Sequence, residues 1–128
     1  MIINMNKKTV ISRKPFYAAS FFVRGRGMIC RKFENFDAMV FRGCSSIHML
    51  FMRMPLDVIY LDLDNKICKL SENLKPWCFF DGSRRARAVI ELPVGTIKAA
   101  KCEIGDYCDL DAVWDENIEL QYSKSLES

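Results

Sequence analysis

The chain has 128 residues, 50% of them apolar and 27% charged, with a formal net charge of +3. That length is one ordinary domain, able to bury roughly 65–70% of its unfolded surface without disulfide or metal staples. The composition excludes a disordered chain away from its ends, and no apolar run approaches the roughly 18 residues of a membrane-spanning helix.

The sequence pI of 8.5 falls short of the strongly basic, clustered face of a nucleic-acid-binding domain. No nucleic-acid and no membrane partner is expected. The stretch Phe16 to Val23 is followed at once by Arg24 and Arg26, where a secretory signal would need small residues for cleavage. A soluble, cytoplasmic protein with reduced, mostly buried cysteines at 30, 44, 68, 78, 102 and 108 is the expectation.

Residues 1–15 read as a polar-leaning tail and lead-in, 16–114 as a single β domain, and 115–128 as a second tail. Ser20 is placed to cap a helical turn over 21–26. "FDAMVF" (36–41) alternates as a strand and stops at "RGCSS". Residues 47–54, taken as extended, put Ile47, Met49, Phe51 and Arg53 on one face and His48, Leu50, Met52 and Met54 on the other. Both faces are then apolar, as in an inner strand. "DVIYLDLD" (57–64) and "KICKL" (66–70) read as a β-hairpin closed by a tight polar turn. "RAVIELP" (87–93) is a strand ended by Pro93 and Gly95. Thr96 is placed to cap a short helix over "IKAAKC", and "DYCDLDAVW" (106–114) is the last strand candidate. Many short, closely spaced strands predict a mainly β fold, a small β-sandwich or barrel-like domain with one or two short helices.

No CxxC pair exists and His48 is the only histidine, so no metal site and no cofactor are expected. Cys44 and His48 are the minimum pair for an activated thiolate. On a regular strand they would sit ~13 Å apart, so a turn at 43–46 would have to bring them together. The basic run Arg84-Arg85-Ala86-Arg87 reads as a solvated loop edge or an anion contact. Asp57 and Glu91 lie inside apolar strands. Buried charges are paired, and Arg53 for Asp57, or Arg24, Arg31 or Arg42 for Glu91, are the partners the spacing offers.

The blocks "ASFFVRGRGMICR" (19–31), "FDAMVF" (36–41), "CSSIHMLFMRMPLDVIYLDLDNKI" (44–67), "LKPW" (74–77), "AVIELPVGT" (88–96) and "IGDY" (104–107) resemble, in order and spacing, the domain-of-unknown-function family one-ninety-two. The resemblance spans roughly Phe16 to Leu110. The chain departs from the family pattern at Val23, where an acidic residue usually precedes Arg24, and at Met28, Ala38 and the Asn65-Lys66 turn. The resemblance implies a mainly β, single-domain sandwich or barrel-like fold and no established activity.

Three functions follow as expectations. The first is a small-ligand or anion binding module, its pocket lined by His48, Arg53, Asp57 and Glu91 with Arg24 nearby. The second is an enzyme, with candidate catalytic residues Cys44, His48 and Asp57, His48 serving as acid/base. The third is a structural or protein-interaction domain in which these residues only build the fold.

Overall fold

The computed structural model describes residues 1–18, 33–47, 54–76, 78 and 80–113. Its centre is a five-stranded sheet, ordered β3-β4-β9-β6-β7: β3 (Pro15–Tyr17), β4 (Ala38–Arg42), β6 (Leu56–Leu61), β7 (Ile67–Leu74) and β9 (Ala88–Leu92). The β3–β4 pair is parallel and the others are antiparallel. β4, β6 and β9 are almost wholly buried, so the runs of β6 and β9 are near-continuously apolar, and the alternation read over 36–41 does not mark a solvated face of β4.

Alternation divides those buried residues between two layers. On one face Ala38, Val40, Ile59, Leu61, Ala88, Ile90 and Leu92 form a core. It is closed by a three-stranded sheet of order β10-β1-β2, comprising β1 (Ile2–Asn4), β2 (Thr9–Ser12) and β10 (Cys108–Asp109). The helix α1 (Thr96–Ala99) completes that layer through Ile97. On the other face Met39, Phe41, Leu56, Val58, Tyr60 and Val89 form a second core. The two-stranded pair β5 (Ser46–Ile47) with β8 (Asp81–Gly82) and the tilted and edge-to-face rings of Phe16, Phe33 and Phe36 belong to this side. The fold is mainly β, with layered sheets and no closed barrel among the described residues.

The β6–β7 hairpin forms as expected. Its turn is built by Asp62, whose Oδ1 accepts from the backbone N–H groups of Asp64 (2.9 Å) and Lys66 (3.0 Å). Asn65 takes the left-handed conformation there, at φ 59°, which Asn tolerates at low cost.

Three expectations are corrected. Residues 1–12 are not a tail: β1 and β2 form a hairpin that buries Ile2, Ile3 and Ile11. Two short apolar pairs flank the polar stretch 5–8, and that stretch is the hairpin connection rather than part of a solvated arm. β10 is two residues long, not nine, because the Asp111 turn ends it. Thr96 does not cap α1, for its hydroxyl donates to the Pro93 carbonyl (2.7 Å). The cap comes from Asp57. The expected helical turn over 21–26 and most of the strand over 47–54 lie outside the described residues.

Candidate functional site

Asp57 sits on β6 between Leu56 and Val58 and is 1% exposed. Its side chain points to the face that carries α1. Oδ2 accepts from the N–H groups of Gly95 (3.0 Å) and Ile97 (3.0 Å), and Oδ1 from that of Asn73 (2.9 Å). Gly95 (φ 99°) and Asn73 (φ 51°) both hold left-handed backbone. Asn73 lies where the β6–β7 register slips between Leu56 and Val58. One carboxylate therefore satisfies the orphan donors at a helix start and at a strand bulge. These donors stand where an arginine partner was expected, and both oxygens are occupied by the fold.

Glu91 occupies the other face. In register it lies between Met39 on β4 and Val58 on β6, and it is 5% exposed. Asp57 and Glu91, expected in one pocket, are thus on opposite sides of the sheet. Arg42, offered as a partner for Glu91, shares the Asp57 face and pairs with Asp111 (2.9 Å). His48, Arg53 and Arg24 lie outside the described residues, as does Arg31. Cys44 packs half-buried against the Glu91 face.

That face also carries a polar cluster that the sequence reading missed. Asp81 Oδ2 accepts from the Tyr60 hydroxyl (2.6 Å) and the Ser71 hydroxyl (2.7 Å), and Oδ1 accepts from Lys69 Nζ (2.9 Å). Lys69 Nζ also donates to the Gly82 carbonyl (2.9 Å) and lies 5.6 Å from the Tyr60 ring centre. Burial raises the Asp81 carboxyl, but the donors from Tyr60, Ser71 and Lys69 outweigh it and hold the group below its ordinary value. Burial first, and then Asp81, push the Tyr60 hydroxyl well above its usual range. Cys68 joins the edge, its Sγ 3.8 Å from the Ser83 hydroxyl. The parity of Lys69 and Ser71 on one strand face was readable, but their partner Asp81 comes from a two-residue strand with no periodicity of its own.

The remaining buried carboxylate, Asp106, is structural. It accepts from Asn4 Nδ2 (2.8 Å), the Glu103 N–H (3.0 Å) and Lys7 Nζ (3.1 Å), joining β1 to the loop before β10. On the Asp57 side of the sheet, burial pushes the Cys102 thiol up to about 11 and the Cys108 thiol further still, so both are inert as nucleophiles near neutral pH. No group of three His, Cys, Asp or Glu side chains able to hold a metal occurs among the described residues, and no described helix is long and apolar enough to cross a membrane.

A sheet layered on both faces, with Asp57 and Asp106 tied into its seams, defines a small mainly β domain. The model of the family described as "Uncharacterized ACR" (DUF192) matches residues 2–110. The chain belongs to that family, the domain-of-unknown-function family one-ninety-two. It is 37% identical to a UPF0127 protein of Thermococcus sibiricus over 115 residues, covering 85% of this chain and 73% of that one. It is 34% identical to a UPF0127 protein of Pyrococcus furiosus over 109 residues, covering 82% and 93%. The fold is similar to a crystal structure of a protein of unknown function from Novosphingobium aromaticivorans, at 20% identity and TM-score 0.65, over 74% of this chain and 73% of that one. It is equally similar to a putative transcription regulator from Sinorhizobium meliloti, at 24% identity and TM-score 0.65, over 74% and 79%. At those identities the likeness is one of fold.

Proposed function

We propose that this domain is a non-enzymatic binding module for a small polar or anionic ligand, held against the Glu91 face of the central sheet. The observation that supports it is the placement of Glu91: a buried carboxylate in the middle of a sheet face whose register neighbours are Met39 and Val58. Ligand sites commonly combine an apolar lining with a few convergent polar groups, and Glu91 is a polar group of that kind on an otherwise apolar sheet face. The Tyr60–Lys69–Ser71–Asp81 cluster lies on the same face and adds convergent donors and acceptors.

Ala18 and Phe33 bracket the segment holding Arg24, and Ile47 and Met54 bracket the segment holding His48 and Arg53. All four bracketing residues pack against the Glu91-side core. Arg24, His48 and Arg53 are included in the proposal as candidate ligand contacts, and Asp57, whose oxygens accept from backbone donors on the opposite face, is not.

A thermal-shift panel of sugars, nucleotides, amino acids and organic acids tests this. At least one class should stabilise the protein, by about 2.7 kcal/mol at a concentration 100 times its Kd. Glu91→Gln should abolish that stabilisation, and His48→Ala and Arg53→Ala should weaken it. A panel in which no class shifts the melting temperature sinks the reading.

A further inference from the structure

A second feature lies at the opposite face and at one end of the sheet. Two adjoining concavities of about 260 and 290 Å³ flank Arg42. The first is lined by Arg42, Arg87, Asp62, Asn65, Leu110 and Asp111, among others; Tyr17 and Val40 line the second. Arg42 ends β4 in register with Ala88 of β9, and Arg87 directly precedes Ala88. The two guanidinium-bearing residues therefore spring from adjacent strands at the same level of the sheet.

Both guanidinium groups have defined partners. Arg87 Nη1 donates to the carbonyls of Ala86 (2.8 Å) and Arg84 (3.2 Å), and its ion pairs among the described residues are none. Arg42 lies 5.4 Å from the Tyr17 ring centre and donates through Nη2 to Asp111 Oδ1 (2.9 Å). A planar guanidinium fork beside a concave surface is the geometry that reads an oxyanion bidentately.

Asp111 shows what the fork takes. Its carboxylate already occupies Arg42, yet the pair is exposed, with side-chain accessibilities of 55% and 76%. Exposed pairs contribute little, so a ligand oxyanion that reaches both arginines would displace Asp111 readily. Asp62 also lines the groove, but its Oδ1 is committed to the hairpin turn, so it is not positioned to pair with Arg42 as Asp111 does.

We propose that the Arg42–Arg87 end of the sheet is a binding site for a small oxyanion, the phosphate or carboxylate group of a soluble molecule, with Asp111 as a built-in competitor for Arg42. This gives the Arg84-Arg85-Ala86-Arg87 run a specific member in contact with ligand, Arg87, while Arg84 and Arg85 remain outside the groove. The site is independent of the Glu91 face.

Titration of the ¹⁵N-labelled protein with inorganic phosphate, and separately with acetate, tests the proposal. Amides of Gly43, Ala88 and Leu110 and the Arg42 and Arg87 side-chain N–H groups should shift saturably with at least one anion, less so as chloride concentration rises. Arg42→Gln and Arg87→Gln should each weaken binding about tenfold, and Asp111→Asn should tighten it roughly threefold to fivefold. Phosphate alone, or acetate alone, identifies the oxyanion. All three substitutions are at exposed positions, and a retained amide spectrum confirms the fold. Absence of saturable shifts in both the parent and the Asp111→Asn protein overturns the proposal. So do shifts that survive Arg87→Gln, or that vanish with Glu91→Gln on the other face.

Discussion

Replacing Asp57 removes an acceptor from three backbone donors at once. Its oxygens lie 2.9–3.0 Å from the N–H groups of Asn73, Gly95 and Ile97. Hydrogen bonds to a charged partner contribute roughly 1.5–3 kcal/mol each, and a buried donor left unsatisfied costs about 1–3 kcal/mol. The three share one acceptor and are not additive, so Asp57→Ala is expected to cost about 3–5 kcal/mol. For a chain of 128 residues that is a fall in Tm of about 10–20 °C. Asp57→Asn should cost less, since one amide oxygen still accepts at either α1 or the β7 bulge. Amide exchange should rise first at Gly95 and Ile97, with β4 still protected. The assays are differential scanning calorimetry and hydrogen exchange, with exposed Asp64→Ala as the control. A Tm within about 2 °C of the parent would refute the cap-and-bulge role and return Asp57 to the list of groups free to meet a ligand.

Further outcomes are expected. Asp81 and Asp106 are both held below their ordinary value of 3.8. A depressed folded-state carboxyl stabilises above its unfolded pKa and loses that contribution as the pH falls through its folded value. Thermal melts from pH 7 downward should therefore steepen in their loss below about pH 4, and Asp106→Asn should flatten that limb while lowering Tm at pH 7. A Cβ at Gly82 would stand 2.8 Å from Ser46 Cβ and 2.9 Å from the Ser45 carbonyl. Gly82→Ala should accordingly cost about 1–3 kcal/mol and splay β5 from β8, seen as faster exchange of the Ser83 amide. Gly95→Ala meets open space but at φ 99°, and should cost about 1 kcal/mol by calorimetry, from backbone strain alone. Glu91→Met should leave Tm unchanged or raise it, because well-packed apolar replacements of buried charges are often neutral or stabilising.

The central strands were legible because their burial on both faces leaves continuous apolar runs bounded by turn residues, as in β4, β6 and β9. The family pattern was legible too, through blocks that the structure explains physically. Asp57 caps α1, Gly95 supplies the left-handed residue at its start, and Asp106 ties β1 to the β10 loop. What each side chain meets was not legible. Asp57 and Glu91 look alike in sequence, each a carboxylate within an apolar strand. Only the register, which sets Leu92 opposite Asp57 and Val58 opposite Glu91, shows that they face apart. The N-terminal hairpin was missed because three- and four-residue strands carry too little periodicity to separate from a tail. The Asp81 cluster was missed because its members lie up to 21 residues apart, a distance across which no local pattern reaches.

The central claim is that the ligand of the proposed binding module is held at the Glu91 face, and not around Asp57. Amide shift mapping with the strongest stabiliser from the thermal-shift panel tests it most directly. The account predicts saturable shifts centred on Met39, Val58, Tyr60, Ser71, Asp81 and Glu91, lost in Glu91→Gln, with Ile59, Gly95 and Ile97 unmoved. Shifts centred on Asp57, Gly95 and Ile97, or undiminished by Glu91→Gln, would contradict it.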